Sequence, residues 1–265
     1  MSRESYLRAT FEQVAELYDQ ARPSYPAEIF DDLVDLARLP ESARIVEIGC
    51  GTGQATVPLA ERGFEITCIE LGEQLAAVAR RKLSRFPDVE VVCANFETWR
   101  APNSDFDAVV AFTAFHWIDP QLRYEKSASL LRDGGMLAVV TTAHVLPPNG
   151  DDFFVEVQED YETVLPDDPS TKAGAPSHPD AVQDLSEEIA DSGFFRSLAS
   201  RRYLWDVIYT AEEYIAVLET YSDHRALDAA IRERLLDRIR RRVEARPDPR
   251  VRKTYLAMLN VAQRL

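Results

Sequence analysis

The run Ile45-Val46-Glu47-Ile48-Gly49-Cys50-Gly51-Thr52-Gly53 constrains this chain more than any other segment. A short β-rich stretch leads into glycines at alternate positions, and a helix-forming stretch, Gln54 to Glu61, follows. Glycine reaches positive φ without steric cost and lets the backbone approach a ligand closely. The helix start behind the turn presents free N–H groups. Glu70 lies 17 residues beyond Gly53, at the end of the next expected strand. A carboxylate there can accept hydrogen bonds from both hydroxyls of a ribose. Turn and acid together describe a site for an adenosine-containing ligand.

The glycine spacing narrows the choice. A dinucleotide turn reads G-x-G-x-x-G, with a pyrophosphate resting on the helix start. Here the third glycine comes one residue early, and Glu47 stands two residues before the first. A carboxylate beside the turn repels a pyrophosphate and favours a cationic ligand tail, such as an amino group or a sulfonium.

The surrounding pattern is that of an α/β protein. Strands are expected at Arg44–Ile48, Phe64–Ile69, Val89–Cys93, Phe106–Ala111 and Met136–Thr141. Helices are expected between them at 54–61, 72–86 and 124–131, the last stopped by Asp133-Gly134-Gly135. This alternation argues for a parallel sheet with helices on both faces. Two helices precede it, Glu4–Leu17 and Ala27–Ala37, joined by the stiff connector Pro23-Ser24-Tyr25-Pro26. After Thr142 the character changes. Helices are expected at Phe153–Leu165, Val182–Ser192, Ala211–Glu219 and Asp228–Val243, with a polar loop at Pro166–Pro179 and a sixth strand at Leu198–Trp205. Val251–Val261 fits a last strand or a helix.

On these residues the chain resembles the class I S-adenosylmethionine-dependent methyltransferases, of the type 11 small-molecule kind. Glu47-Ile-Gly-Cys-Gly-Thr-Gly53 is similar to that family's first motif, and Glu70 to its ribose-binding acid. Phe106-Asp-Ala-Val-Val110 and Leu131-Arg-Asp-Gly-Gly-Met-Leu137 resemble the fourth- and fifth-strand motifs, with Asp133 standing where a proline is common. Tyr18-Asp-Gln-Ala-Arg22-Pro-Ser-Tyr25-Pro26 resembles an N-terminal signature of the subgroup. The resemblance implies a Rossmann-like doubly wound sheet of about seven strands, mostly parallel with the last antiparallel. It implies residues 1–39 as a helical cofactor lid and 40–145 as the S-adenosylmethionine-binding core. Residues 146–197 would be a helical substrate cap inserted after the fifth strand, and 198–265 the C-terminal strands with cap helices.

The same resemblance implies cofactor contacts from Tyr18, Arg22, Glu47, Gly49, Gly51, Gly53, Glu70, Leu71, Asn95, Phe96 and Phe112. Asn95 stands where the family often has Asp. On the acceptor side it points to Tyr25, His116, Trp117, His144 and Tyr209, with Trp205 and Tyr214 as further candidates. His116 follows the fourth strand, where ligands of open parallel sheets bind, and imidazole titrates near neutrality. It is the one candidate for orienting the acceptor or taking its proton, against a plain packing role. Methyl transfer from a sulfonium is an in-line displacement by an O, N, S or C nucleophile. Alignment and exclusion of water carry most of it, so a dedicated base is optional.

Composition excludes some partners. A net charge of −15 counts against nucleic acid as substrate, and the one dense basic run, Arg238–Arg246, reads as a solvated helix face. No segment looks like a membrane span or signal peptide, and Cys50, Cys68 and Cys93 form no paired framework. A cytoplasmic enzyme on a small molecule is expected, monomer or homodimer, without a metal. The competing readings are a non-catalytic S-adenosylmethionine-binding or regulatory protein and an NAD-dependent oxidoreductase.

Overall fold

The structure is a computed structural model and describes residues 14–166 and 174–265. Most of the helix expected at Glu4–Leu17, and the middle of the Pro166–Pro179 loop, lie outside the described residues. Seven strands form one sheet in the order β3-β2-β1-β4-β5-β7-β6. They are β1 (Arg44–Ile48), β2 (Glu65–Glu70), β3 (Val89–Cys93), β4 (Phe106–Phe112), β5 (Leu131–Val145), β6 (Phe195–Thr210) and β7 (Arg250–Arg264). The first five pair in parallel, β1 with β2 and β4, β2 with β3, and β4 with β5. The last strand runs antiparallel, N-terminal helices precede the sheet, and a helical insertion follows β5. The order reverses between β1 and β4, the point where open α/β sheets bind ligands.

The helices that precede and link the parallel strands are α1 (Ala15–Ala21), α2 (Ala27–Ala37), α3 (Thr56–Ala60), α4 (Glu73–Leu83) and α5 (Arg123–Leu130). The longer ones, α2 and α4, turn an apolar stripe inward. In α2 the buried residues are Ile29, Phe30, Leu33 and Ala37, the 3.6-residue spacing of one face. β1 and β4 are buried almost throughout, which explains their unbroken apolar runs.

Asp133-Gly134-Gly135 does not end an element in the way its composition suggests. β5 begins at Leu131, directly after α5, and Leu131 pairs with Phe106 while Met136 pairs with Ala108. The extra residues form a bulge, which Gly134 permits at φ +69°. Arg132 Nε donates to Asp107 Oδ1 at 2.7 Å across it. Val251–Val261, which fits either class by sequence, is strand. β7 lies between β5 and β6 and is buried over nearly its whole length, so its sequence carries no period to read. β6 ends the sheet, with alternating exposure and arginines facing out, as a protected edge requires.

The remaining helices are α6 (Phe153–Glu156), α7 (Gln158–Val164), α8 (Ser186–Asp191), α9 (Ala211–Glu219), α10 (Ser222–Arg225) and α11 (Ala229–Glu244). α9 opens with a reciprocal Thr210–Glu213 capping box, and Asp228 caps α11. Three arginines of α11, Arg238, Arg241 and Arg242, form ion pairs. Arg238 Nε and Arg242 Nε donate to the nearly buried Asp160 at 3.1 and 2.5 Å.

The chain divides into two compact units. A parallel-strand unit comprises residues 24–142, 184–203 and 257–265, and an aromatic unit comprises 1–23, 143–183 and 204–256. The first is cored by Val46, Ile48, Ile69, Phe106, Val109, Leu137 and Val139. The second is cored by Phe153, Phe154, Tyr214, Leu218, Leu235 and Ile239. No described helix is long and apolar enough to cross a membrane.

Candidate cofactor and active site

The glycine turn lies at the carboxyl end of β1, and all three glycines have positive φ: +64° at Gly49, +58° at Gly51 and +85° at Gly53. At Gly49 there is a second reason for glycine. A Cβ there would sit 2.6 Å from Ala114 Cβ, so the turn and the segment after β4 are in direct contact. Gly49 N–H donates to Ile69 O at 2.8 Å, tying the turn to β2.

Glu70 organises this turn. One carboxylate oxygen accepts Gly51 N–H at 2.8 Å, and the other accepts Gly72 N–H at 2.8 Å. The carboxylate is thus oriented by two backbone donors. Beside it Leu71 is 49% exposed, an apolar side chain left on the surface at the rim of a polar turn. The oxygen of Thr52, inside the turn, is buried and has no hydrogen-bond partner among the described residues. An acid oriented by backbone donors, an apolar rim and an unsatisfied buried hydroxyl fit an adenosine ligand.

Glu47 lies deeper than the sequence suggests. It is only 1% exposed, and burial pushes its carboxyl up to about 7, opposed by a hydrogen bond from Thr56 and reinforced by the Glu70 charge. Cys68 Sγ lies 3.9 Å from its Oε2. The group is therefore balanced between neutral and ionised near neutral pH, where a nearby cation would draw off its proton.

The loops after β3 and β4 leave the sheet at the same carboxyl edge as the turn. Asn95 Oδ1 accepts Glu97 N–H at 2.8 Å, closing an Asx turn that holds Phe96 in the core. Glu97 Oε1 accepts Asp119 N–H at 3.0 Å, linking the two loops. Thr113 follows β4 in the left-handed region, φ +53°, unusual for a β-branched residue. Its hydroxyl is held 2.9 Å from Tyr25 Oη and 3.1 Å from Thr142 Oγ1. Tyr25 also meets Phe112 edge-on at 5.2 Å, and Phe112 stacks on Phe30 at 5.4 Å. The reversal at Thr113 leads into a 3-10 turn, Phe115–Trp117. It leaves His116 exposed and Trp117 half-buried, their rings 4.8 Å apart.

The structure thus brings Tyr25, Glu47, Gly49, Gly51, Gly53, Glu70, Leu71, Asn95, Phe96, Phe112, His116 and Trp117 into the parallel-strand unit. Tyr18, Arg22, His144 and Tyr209 belong to the aromatic unit. There Arg22 donates to Thr220 Oγ1 at 2.8 Å and to Thr220 O at 3.0 Å, and its guanidinium lies over the Tyr18 and Tyr221 rings. Tyr209 Oη lies 3.0 Å from Tyr255 Oη. Sequence reading missed Thr113, Tyr221 and Lys253. Lys253 stands between Arg252 and Thr254, ahead of the apolar run Tyr255–Leu259, so its sequence neighbours do not mark it as buried.

A family model for a methyltransferase domain matches residues 45–135, the stretch from β1 to the bulge of β5. An uncharacterized methyltransferase of Mycobacterium tuberculosis is 31% identical over 131 residues, 49% of this chain and 51% of that protein. The chain therefore spans about half the length of the curated relative it matches. Among solved structures, a protein of Anaeromyxobacter dehalogenans classed as a type II methyltransferase aligns with a TM-score of 0.61. It is 23% identical and covers 91% of this chain and 97% of its own. The cyclase SpnF aligns with a TM-score of 0.52 at 17% identity, over 92% of this chain and 83% of its own. The family model lies on the parallel strands and the glycine turn, the structural likenesses run over nearly the whole chain, and the chain has the class I S-adenosylmethionine-dependent methyltransferase-like fold.

Proposed function

We propose that the chain is an enzyme that transfers a methyl group from S-adenosylmethionine to a small-molecule nucleophile. The observation that carries this reading is Glu70, set against the glycine turn by two 2.8 Å backbone hydrogen bonds at the end of β2. Bound there, the cofactor would supply an electrophilic methyl group on a sulfonium. Glu70 would hold the ribose diol, Leu71 and Phe96 would flank the adenine with Asn95, and Glu47 would supply negative charge beneath the cationic tail. Phe112 and Gly49 shape the turn, and Tyr18 and Arg22 are assigned to the cofactor's methionine end. Tyr25, Trp117, His144 and Tyr209 are assigned to the acceptor.

A shared fold does not decide chemistry, since a cyclase has it too. The site must therefore be tested directly. Titration of the chain with S-adenosylhomocysteine and, separately, with NAD is expected to show binding of the first alone. Glu70→Gln is expected to weaken S-adenosylhomocysteine roughly 10–100-fold, the value of one or two hydrogen bonds to a charged group. Binding of NAD instead would overturn the reading.

His116 is exposed, so it can meet an acceptor and exchange its proton. His116→Ala is expected to lower turnover roughly 100-fold in an assay of S-adenosylhomocysteine release, with cofactor affinity changed less than threefold. Unchanged turnover would leave His116 as a packing residue. Membership of the cell's soluble interior and a monomer or homodimer remain part of this proposal. Sedimentation velocity reads the second.

A further inference from the structure

The aromatic unit holds a charged cluster that the glycine-turn chemistry does not use. Lys253, in β7, is 2% exposed. Its Nζ donates to Tyr221 Oη at 2.7 Å and lies 4.9 and 5.1 Å from the ring centres of Tyr221 and Tyr255. Among the described residues it has no carboxylate within ion-pair distance. A second cation, the Arg22 guanidinium, stands 4.3 Å from the Tyr221 ring centre. Removing an ammonium from water without a counter-charge costs several kcal/mol. Cation–ring attraction returns only about 2 kcal/mol of that.

The local field confirms the imbalance. Burial raises the Tyr221 phenol, but Lys253 and Arg22 outweigh it and hold the group below its ordinary value. Across Tyr255, His144 is driven down to about 2, by burial first and by Lys253 second, so it is neutral. Two ring nitrogens bordering Tyr255 also lack partners. His144 Nε2 and Trp205 Nε1 are buried and unbonded among the described residues. The Trp205 ring stacks on Tyr255 at 5.3 Å, and His144 stands 6.4 Å from it. Buried polar atoms in folded proteins are nearly all satisfied. An unneutralised ammonium and two orphan ring nitrogens around one tyrosine call for a ligand with anionic oxygens. Tyr221, Trp205 and His144 are half-buried as residues, so part of each reaches solvent, while the two ring nitrogens and Lys253 lie beneath.

We infer that Lys253, Tyr221, Trp205 and His144 form an anion site within the aromatic unit that takes the carboxylate of a planar aromatic acid. The aromatic side chains of the cluster, Trp205, Tyr221, Tyr255 and His144, favour an aromatic skeleton, which can meet rings edge-on as well as face-on. The carboxylate is the handle, held by the ammonium and the indole N–H.

Calorimetric titration of the full chain with benzoate, phenylacetate and 4-hydroxybenzoate, each beside its neutral amide, tests this. At least one acid is expected to bind tenfold or more tightly than its amide. Lys253→Met, which keeps the chain length and removes the charge, is expected to abolish that preference while leaving S-adenosylhomocysteine affinity within twofold. If none of the acids binds, if acid and amide bind alike, or if the preference survives in Lys253→Met, the inference is overturned. Should Lys253→Met not fold, Trp205→Phe keeps the stacked ring and removes the indole N–H. It is expected to lower acid affinity about fivefold, and unchanged affinity overturns the inference. Failure of S-adenosylhomocysteine to bind the wild-type chain would overturn the methyltransferase reading alone, because the acid–amide comparison stands without it.

Discussion

Glu47→Gln is expected to make the protein more stable and a worse binder. The Glu47 carboxyl is pushed up to about 7 from an ordinary 4.5, chiefly by burial. Between those values the folded state keeps a proton that the unfolded state has released, so stability falls as pH rises. The loss is absent below pH 4.5 and complete above pH 7. At 1.36 kcal/mol per pH unit it amounts to about 3 kcal/mol by pH 8. Glutamine cannot ionise and escapes it. Denaturant unfolding of the two proteins should coincide near pH 4 and diverge by about 3 kcal/mol at pH 8, with the variant the more stable. A difference independent of pH would show that Glu47 is not held near neutrality by its surroundings.

Binding should move in the opposite direction. A cationic ligand favours the ionised form of Glu47, so the wild-type protein should bind S-adenosylmethionine more tightly at pH 8 than at pH 6. In Glu47→Gln that dependence should flatten, and affinity at pH 8 should fall roughly 10–100-fold, the value of a charged partner. Burying an acid here therefore costs stability and favours a positively charged ligand. A variant with higher melting temperature and unchanged pH-dependent affinity would remove Glu47 from the cofactor site.

Gly49→Ala is expected to be the most damaging single methyl group that can be added to the turn. Two effects add. The backbone at φ +64° is disfavoured for any residue with a Cβ, by about 1–2 kcal/mol. The new methyl would also lie 2.6 Å from Ala114 Cβ, and relief of such overpacking costs about 1–3 kcal/mol. Ala114 immediately precedes the turn that carries His116 and Trp117, so the displacement falls on the candidate acceptor side as well as on the cofactor side. A melting temperature lowered by roughly 5–15 °C, with loss of S-adenosylhomocysteine binding, is the expected result. Gly49→Ala with Ala114→Gly should recover part of the loss, because the second change removes the collision and leaves the backbone strain. No recovery would mean that strain alone accounts for the effect.

The parallel half of the fold was legible because its signals are local. Glycines at fixed spacing, an acid at the end of the next strand and short apolar runs each report their own position. α2, β1 and β3 accordingly fall where periodicity puts them. The bulge of β5 was not legible, since Asp133-Gly134-Gly135 suits a stop as well as a bulge, and only pairing with β4 decides between them. β7 was ambiguous because burial on both faces erases the alternation that identifies a strand. The sites follow the same rule. Glu70 could be assigned from its distance along the chain to Gly53. Lys253 and Tyr221 are 32 residues apart, and nothing in either neighbourhood announces that the ammonium meets the phenol.

Glu70 already holds Gly51 and Gly72 through both of its oxygens. The turn is thus held in one shape before a nucleoside arrives. The turn itself need not fold around the ligand, so association with it should be a single fast step. Its rate constant should not level off at high ligand concentration, as it would if a slow rearrangement followed encounter. Differences in affinity among adenosine derivatives should then appear in how quickly each one leaves.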